Sequence, residues 1–298
     1  MVALRTRLIP FIPLIFVLLW STGFIGAKYG LPYIEPFNML FIRMLLTLAV
    51  FMLLMAIFKS KWPTGRQGVH QLVSGSLVHA AYLGGVFAAI KWDMPAGVVA
   101  IVVGLQPLLT ALIGRIWFKQ SLAKVQLLGL VLGLVGVSMV LIGGKEIGDL
   151  SLRPEGVAAA IIALFGISIG TLYQKRFGAG VDLMAGSFFQ YLATALWMGL
   201  LAFSMETREV VWSLDLIMAL GWLVFGLSVS AVLLLMYMIR EGESARVASY
   251  FYLVPPVTVV EAWLLFDEAL GVLALIGIFI TVLGVYLVLK SPKAIIKS

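Results

Sequence analysis

The chain of 298 residues has no cysteine, only two histidines, and charge on only 12% of its positions. Without cysteine there is no disulfide framework and no thiolate to act as nucleophile or ligand. His70 and His79 would need several carboxylates to complete a zinc site, and no carboxylate falls at a suitable spacing. Neither a metal site nor a cofactor is expected. No glycine-rich loop followed by a lysine offers a cradle for ATP phosphates, so direct ATP drive has no support. A soluble domain carries about a quarter charged residues. Here 62% of residues are hydrophobic, more than a water-soluble fold of this length can hide. Lipid is therefore the solvent. The net charge of +7 is scattered over short loops, which reads as membrane topology and excludes a nucleic-acid surface.

What the sequence does have is long apolar runs. A helix crossing the hydrocarbon core needs roughly 20 apolar residues. Such runs occupy Leu8–Ala27, Phe37–Phe58, Leu72–Ile90, Ala96–Phe118 and Val125–Ile142. Gly156–Gln174, Leu183–Met205, Leu216–Ile239, Ala245–Phe266 and Gly271–Leu289 follow. The expected fold is an all-α integral membrane protein of ten transmembrane helices. Arg5 and Arg7 precede the first run, but it is too long for a signal peptide and no small-x-small cleavage site follows it. An even count puts both termini on one side. If that side is the cytoplasm, it receives Lys59, Lys61, Arg66, Lys119, Lys124, Lys175, Arg176 and Arg240 among others. The far side keeps Lys28, Lys91, Lys145, Arg153 and Arg208. By the positive-inside rule the protein is multi-pass in the cell (plasma or inner) membrane, with both termini cytoplasmic.

The chain also repeats itself. Gly97–Leu141 lies on Ala245–Leu289 without a gap, and about 13 of roughly 45 pairs are identical. The matches include Pro107 with Pro255, Thr110 with Thr258, Gly129 with Gly277 and Gly136 with Gly284. The repeats are expected over 1–145 and 150–298. Five spans in each is an odd number, so the second copy must lie upside down relative to the first. Lys119-Gln120 in one copy answers to Asp267-Glu268 in the other, as loops on opposite sides would. Inverted repeats recur in secondary transporters, with substrate held near the midplane between the halves.

At these residues the chain resembles a known family. Trp20-Ser21 and Lys28 of the first span, Phe41-Ile42-Arg43 of the second, and Pro107 and Pro255 are similar to the EamA branch of the drug/metabolite transporter superfamily. So are Phe118-Lys119-Gln120-Ser121-Leu122, Phe266-Asp267-Glu268-Ala269-Leu270 and the glycine-bearing helices that follow them. The resemblance covers nearly the whole chain. It implies an exporter or facilitator of amino acids or other small metabolites, with a central cavity formed by spans 1, 3, 4, 6, 8 and 9. Gln120 stands where the family usually has glutamate, and Arg115 where it is usually apolar.

The third span shows which faces would line a pathway. At ~100° per residue, Leu77, Ala80, Ala81, Gly84, Gly85 and Ala88 share one side, and His79, Tyr82, Leu83, Val86 and Ile90 the other. Small residues allow close helix packing, so the side with His79 and Tyr82 should face a cavity or another helix. Trp20 and Phe24, Gln106, Trp222 and Tyr250 add aromatic and polar candidates for substrate binding. Lipid contact is the competing role for each aromatic. Pro107, Pro255 and Pro256 sit mid-span, where each lacks an N–H and frees the carbonyl four residues earlier; they are candidate hinges beside the pathway. Glu261 lies within a span and calls for a partner, with Arg43 and Lys28 the basic candidates. Expected partners are a small-molecule substrate and membrane lipid, with a homodimer compatible and no nucleic acid.

The function expected is secondary transport of small hydrophobic or zwitterionic metabolites, amino acids foremost, by alternating access. The alternative is a membrane protein that does not transport, either an intramembrane enzyme or an assembly subunit. Enzymes of that kind need clustered acids, bases or nucleophiles. Here the ionisable residues within spans are isolated.

Overall fold

The computed structural model describes residues 11–92, 94, 99, 102–118, 123–143, 153–241, 244–266 and 271–290. Their regular structure is helical, apart from one antiparallel bridge between Ile34 and Val210. In chain order the helices are α1 (Ile12–Gly30), α2 (Pro36–Phe58), α3 (Gly65–Lys91), α4 (Gln106–Phe118) and α5 (Lys124–Gly143). Next come α6 (Pro154–Phe177), α7 (Leu183–Met205), α8 (Leu214–Glu241), α9 (244–266) and α10 (Val272–Lys290). Six of them, α2, α3, α6, α7, α8 and α10, are long and apolar enough to cross a membrane, with mean hydropathies from 1.4 to 2.8. Ile12–Gly23, Val102–Trp117 and Lys124–Val140 are shorter apolar helices. This is a multi-pass membrane protein. The expected sites at Lys119-Gln120, Ser121-Leu122, Lys145 and 267–270 lie outside the described residues, as do both termini.

Two boundaries move from their expected places. The α3 helix starts at Gly65, a turn and more before Leu72, because Thr64 builds a capping box with Gln67. The α8 helix starts at Leu214, where the Ser213 hydroxyl accepts from the Leu216 N–H. Both helices contain a stretch of π-helix, Ser76–Ala81 in α3 and Leu223–Ala231 in α8. The register that places Gly97 on Ala245 also places Ser76 on Val224 and Ala81 on Val229. The two widened stretches therefore occupy matching positions in the two halves.

Apolar and polar residues are sorted as lipid demands. Leu196, Leu200 and Phe203 of α7 point outward, while Ser187, Gln190 and Thr194 of the same helix are buried. With lipid tails outside, packing rather than water drives helices together, and small residues set how closely they approach. One close crossing is that of α5 on α10. A Cβ on Gly129 would stand 2.6 Å from the Gly284 carbonyl oxygen, and one on Gly136 would stand 2.7 Å from that of Gly277. Partner numbers fall as residue numbers rise, so these two helices run antiparallel. The expected small face of α3 packs on α6: a Cβ on Gly85 would meet the Ala159 carbonyl oxygen at 2.6 Å.

Candidate functional site

Two partly open cavities sit side by side in the bundle and share one wall, made by Trp20 of α1 and Tyr82, Val86 and Ile90 of α3. The first, of about 110 Å³, is closed by Val103, Gln106 and Pro107 on one side and by Phe251, Tyr252 and Pro255 of α9 on the other. The second, of about 120 Å³, is walled by Leu40 and Arg43 of α2, His79 of α3, Tyr191 of α7 and Leu223 and Leu227 of α8. Each is several times the ~10–15 Å³ that one water needs. Each draws its walls from both halves of the chain.

The aromatic wall is built by mutual packing. Trp20 stands edge-on to Phe251, with centroids 5.4 Å apart, and tilts against Phe16 at 5.2 Å. Such pairs hold large rings in one orientation at little entropic cost. His79 stacks on Tyr191 at 4.9 Å with planes 12° apart, and Tyr191 stacks in turn on Phe51. The His79 ring is buried, and its Nε2 has no hydrogen-bond partner among the described residues.

The π-helical stretch of α8 places Ser228 between two of these groups. The Tyr191 hydroxyl donates to the Ser228 carbonyl at 2.9 Å, and Arg43 Nε donates to Ser228 Oγ at 2.9 Å. Arg43 is 7% exposed, and the surface it retains adjoins the second cavity.

Prolines shape the first cavity. Ahead of Pro255, residues Phe251–Leu253 tighten into a 3₁₀ turn, and the Val254 N–H bonds the Phe251 carbonyl, one of those the prolines free. A similar tight bond, Leu105 N–H to the Val102 carbonyl at 3.1 Å, precedes Pro107. Buried beside this irregular backbone, Gln106 Nε2, Thr110 Oγ1 and the Tyr252 hydroxyl lack hydrogen-bond partners among the described residues.

Of the residues expected from sequence, Trp20, His79, Tyr82, Gln106, Pro107 and Pro255 are brought together on the two cavities. Others are not. Trp222 is 46% exposed on the outer surface, where its indole N–H donates to Thr22 Oγ1 at 2.8 Å. Tyr250 packs between two apolar clusters, and Pro256 is buried; neither lines either of these two cavities. The side chains of Phe24 and Lys28 lie outside the described residues. Glu261 does not pair with Arg43: Ser21 Oγ donates to the Glu261 Oε1 at 2.7 Å, while Arg43 turns to Ser228. Nor does α6 line either cavity, because Gly166 and Gly170 seat it on Leu77, Val78 and Ala81 of α3. Instead α2 and α7 supply walls.

Sequence reasoning missed a buried amide cluster. Gln190 Nε2 donates to Gln71 Oε1 at 2.7 Å and to Gln174 Oε1 at 3.0 Å, joining α3, α6 and α7. The signal was present as Gln190 inside an apolar run and Gln71 and Gln174 at the edges of two others, but the three lie far apart in the chain. Among the described residues no group of three or more histidine and carboxylate side chains could hold a metal ion.

Comparison with known proteins follows the same lines. The model of a family described as "EamA-like transporter family" matches residues 8–142 and again 154–290. The chain is 28% identical over 296 residues to "Uncharacterized transporter YvbV" of Bacillus subtilis strain 168, covering 93% of this chain and 90% of that one. It is 28% identical to "Uncharacterized inner membrane transporter YedA" of Escherichia coli K12, over 96% of this chain and 95% of that one. It is 26% identical to "Probable amino-acid metabolite efflux pump" of Salmonella typhimurium LT2, over 93% of each. A solved crystal structure superposes with a TM-score of 0.76 at 21% identity, covering 94% of this chain and 98% of that one, a likeness of fold alone.

Proposed function

Because the chain belongs to the EamA-like transporter family, we propose that it is a secondary transporter of small metabolites, amino acids or related hydrophobic and zwitterionic solutes foremost. The solute is held in the paired cavities behind Trp20 and Tyr82. The observation that carries this reading is the shared aromatic wall, with both halves of the chain closing on it. A pathway that opens alternately to each side needs its site between two bodies that can rock, and inverted repeats provide them. The name of the Salmonella relative supports amino-acid metabolites as the solute class and export as the direction.

In this reading all ten helices span the membrane, as two inverted repeats of five. Three features support it: the antiparallel crossing of α5 on α10, the matched π-helical stretches, and the reversal of loop charge. Both termini are cytoplasmic, and the membrane is the cell's inner or plasma membrane, as the name of the YedA relative suggests. Cysteines introduced at Lys61 and Glu209, both exposed in this cysteine-free chain, should label from opposite sides with a membrane-impermeant maleimide. Lys61 should react from the cytoplasm only. Labelling of both from one side would overturn the topology.

Function is tested with purified protein in liposomes preloaded with unlabelled solute and screened for counterflow over a panel of labelled amino acids and metabolites. Exchange of at least one solute, with a half-saturating concentration raised by Tyr82→Ala, is the expected result. No exchange across the panel would overturn the reading.

A further inference from the structure

Arg43 has its charge inside the bundle, and among the described residues no carboxylate pairs with it. Its Nε is tied to Ser228 Oγ at 2.9 Å, and no ion pair to it occurs among the described residues. The acid expected as its partner, Glu261, is bonded to Ser21 instead. A guanidinium has five N–H donors in a planar fork. Fixing Nε leaves the outer edge, with Nη1 and Nη2, unbonded among the described residues on a side chain that lines the second cavity. A charge taken out of water is tolerated only when something pairs with it, and an ionisable group at this depth marks a functional site by default. The fork matches a carboxylate, which accepts two parallel N–H bonds.

The rest of the cavity describes what the carboxylate is attached to. Leu40, Leu83, Val86, Leu223 and Leu227 are apolar, and Trp20 and Tyr82 present rings. Among the cavity's lining residues none is acidic, so no built partner for a second, cationic group faces the solute there. We propose that Arg43 binds the carboxylate of the transported solute, and that the solute is a small carboxylate with an apolar or aromatic body. Ser228 and Tyr191 are positioning residues: one orients the guanidinium, and the other fixes the Ser228 backbone. This assignment rests on the transport reading of the same cavity and names its solute class.

The test uses the full chain in liposomes and three probes that share a phenyl ring: phenylalanine, phenylacetate and phenethylamine. Wild-type counterflow should accept phenylalanine and phenylacetate, which have a carboxylate, and reject phenethylamine, which lacks one. Arg43→Gln should raise the half-saturating concentration of both carboxylates at least tenfold, and Arg43→Lys should recover part of that. Ser228→Ala should weaken carboxylates several-fold, because the guanidinium keeps its charge but loses the bond that orients it. Wild-type protein that moves phenethylamine as well as phenylacetate would overturn the assignment and leave transport standing. So would Arg43→Gln with unchanged preference. The wild-type comparison needs no variant, so it decides the matter even if Arg43→Gln folds poorly. Wild-type protein that moves none of the three probes, nor any solute of the wider panel, would overturn both readings.

Discussion

Ser21 and Glu261, 240 residues apart in sequence, meet at 2.7 Å and join α1 of the first half to α9 of the second. The Ser21 hydroxyl also lies 2.8 Å from the Leu18 carbonyl, and its single proton serves one acceptor at a time. Glu261 Oε2 is buried and has no hydrogen-bond partner among the described residues. The carboxyl group is thus held by a neutral neighbour at the interface between halves.

That geometry predicts a mild phenotype for Glu261→Gln. An amide has both a donor and an acceptor, so it can keep the contact with Ser21. Loss of stability should stay within about 1 kcal/mol, the worth of one ordinary hydrogen bond. Had Glu261 been paired with Arg43, breaking a buried ion pair would cost about 3–5 kcal/mol. Thermal melting in detergent separates the two, and a loss in the larger range would refute the Ser21 assignment. Counterflow should survive the substitution. Uptake driven by a pH gradient should be lost only if Glu261 carries a coupling proton.

Crossing of α5 on α10 should be far less forgiving. A Cβ at position 136 would stand 2.4 Å from Thr281 Oγ1 and 2.7 Å from the Gly277 carbonyl oxygen. Backbone cannot move aside as a flexible side chain can. Gly136→Ala should therefore cost about 1–3 kcal/mol, the usual penalty of overpacking. Gly65→Ala, with nothing within 4 Å of the added carbon, should be neutral. Equal melting temperatures for the two variants would show that the crossing is looser than described.

Much of this arrangement was legible in the sequence. Long apolar runs located the helices, since lipid allows little else. Helical periodicity separated the two faces of α3, because small residues and ring-bearing residues never mix there. What could not be read were partnerships across the chain and local changes of helical pitch. Arg43 finds Ser228 185 residues away, and no local pattern signals it. The π-helical stretches contain no proline, so residue type does not announce them. Trp222 was misplaced because an aromatic facing lipid and one facing a cavity look alike in an apolar run.

Acid should loosen one end of the bundle. The Glu35 carboxylate, at the start of α2, accepts from Thr207 Oγ1 at 2.8 Å and from the Arg208 N–H at 3.1 Å. Partial burial pushes its pKa up, but the bonds from Thr207 and Arg208, helped by Lys91, outweigh that and hold it below the usual 4.5. A depressed carboxylate pKa stabilises the fold above the unfolded value, and the contribution is lost as pH falls through the folded one. Wild type should therefore exceed Glu35→Gln in melting temperature at pH 7, and the gap should close below about pH 4.5. A gap that persists at pH 3 would mean that the charge is not responsible.

The shared wall and the outer surface make opposite predictions for similar residues. Trp20 and Tyr82 border both cavities, whereas Trp222 is 46% exposed and bonded to Thr22. Removing a ring that contacts the solute forfeits about 0.5–1.5 kcal/mol of aromatic contact, which is a rise of about twofold to tenfold in half-saturating concentration. Trp20→Ala and Tyr82→Ala should show that rise in counterflow. Trp20→Ala should also lose the packing it makes with Phe16 and Phe251, so Trp20→Phe, which keeps a ring there, is the companion variant. Trp222→Ala should leave solute affinity within about twofold, since it removes only a surface hydrogen bond worth roughly 0.5–1.5 kcal/mol to folding. Counterflow titration of the four variants beside wild type reads the difference directly. Affinity lost in Trp222→Ala and kept in Tyr82→Ala would place the pathway on the other side of α1.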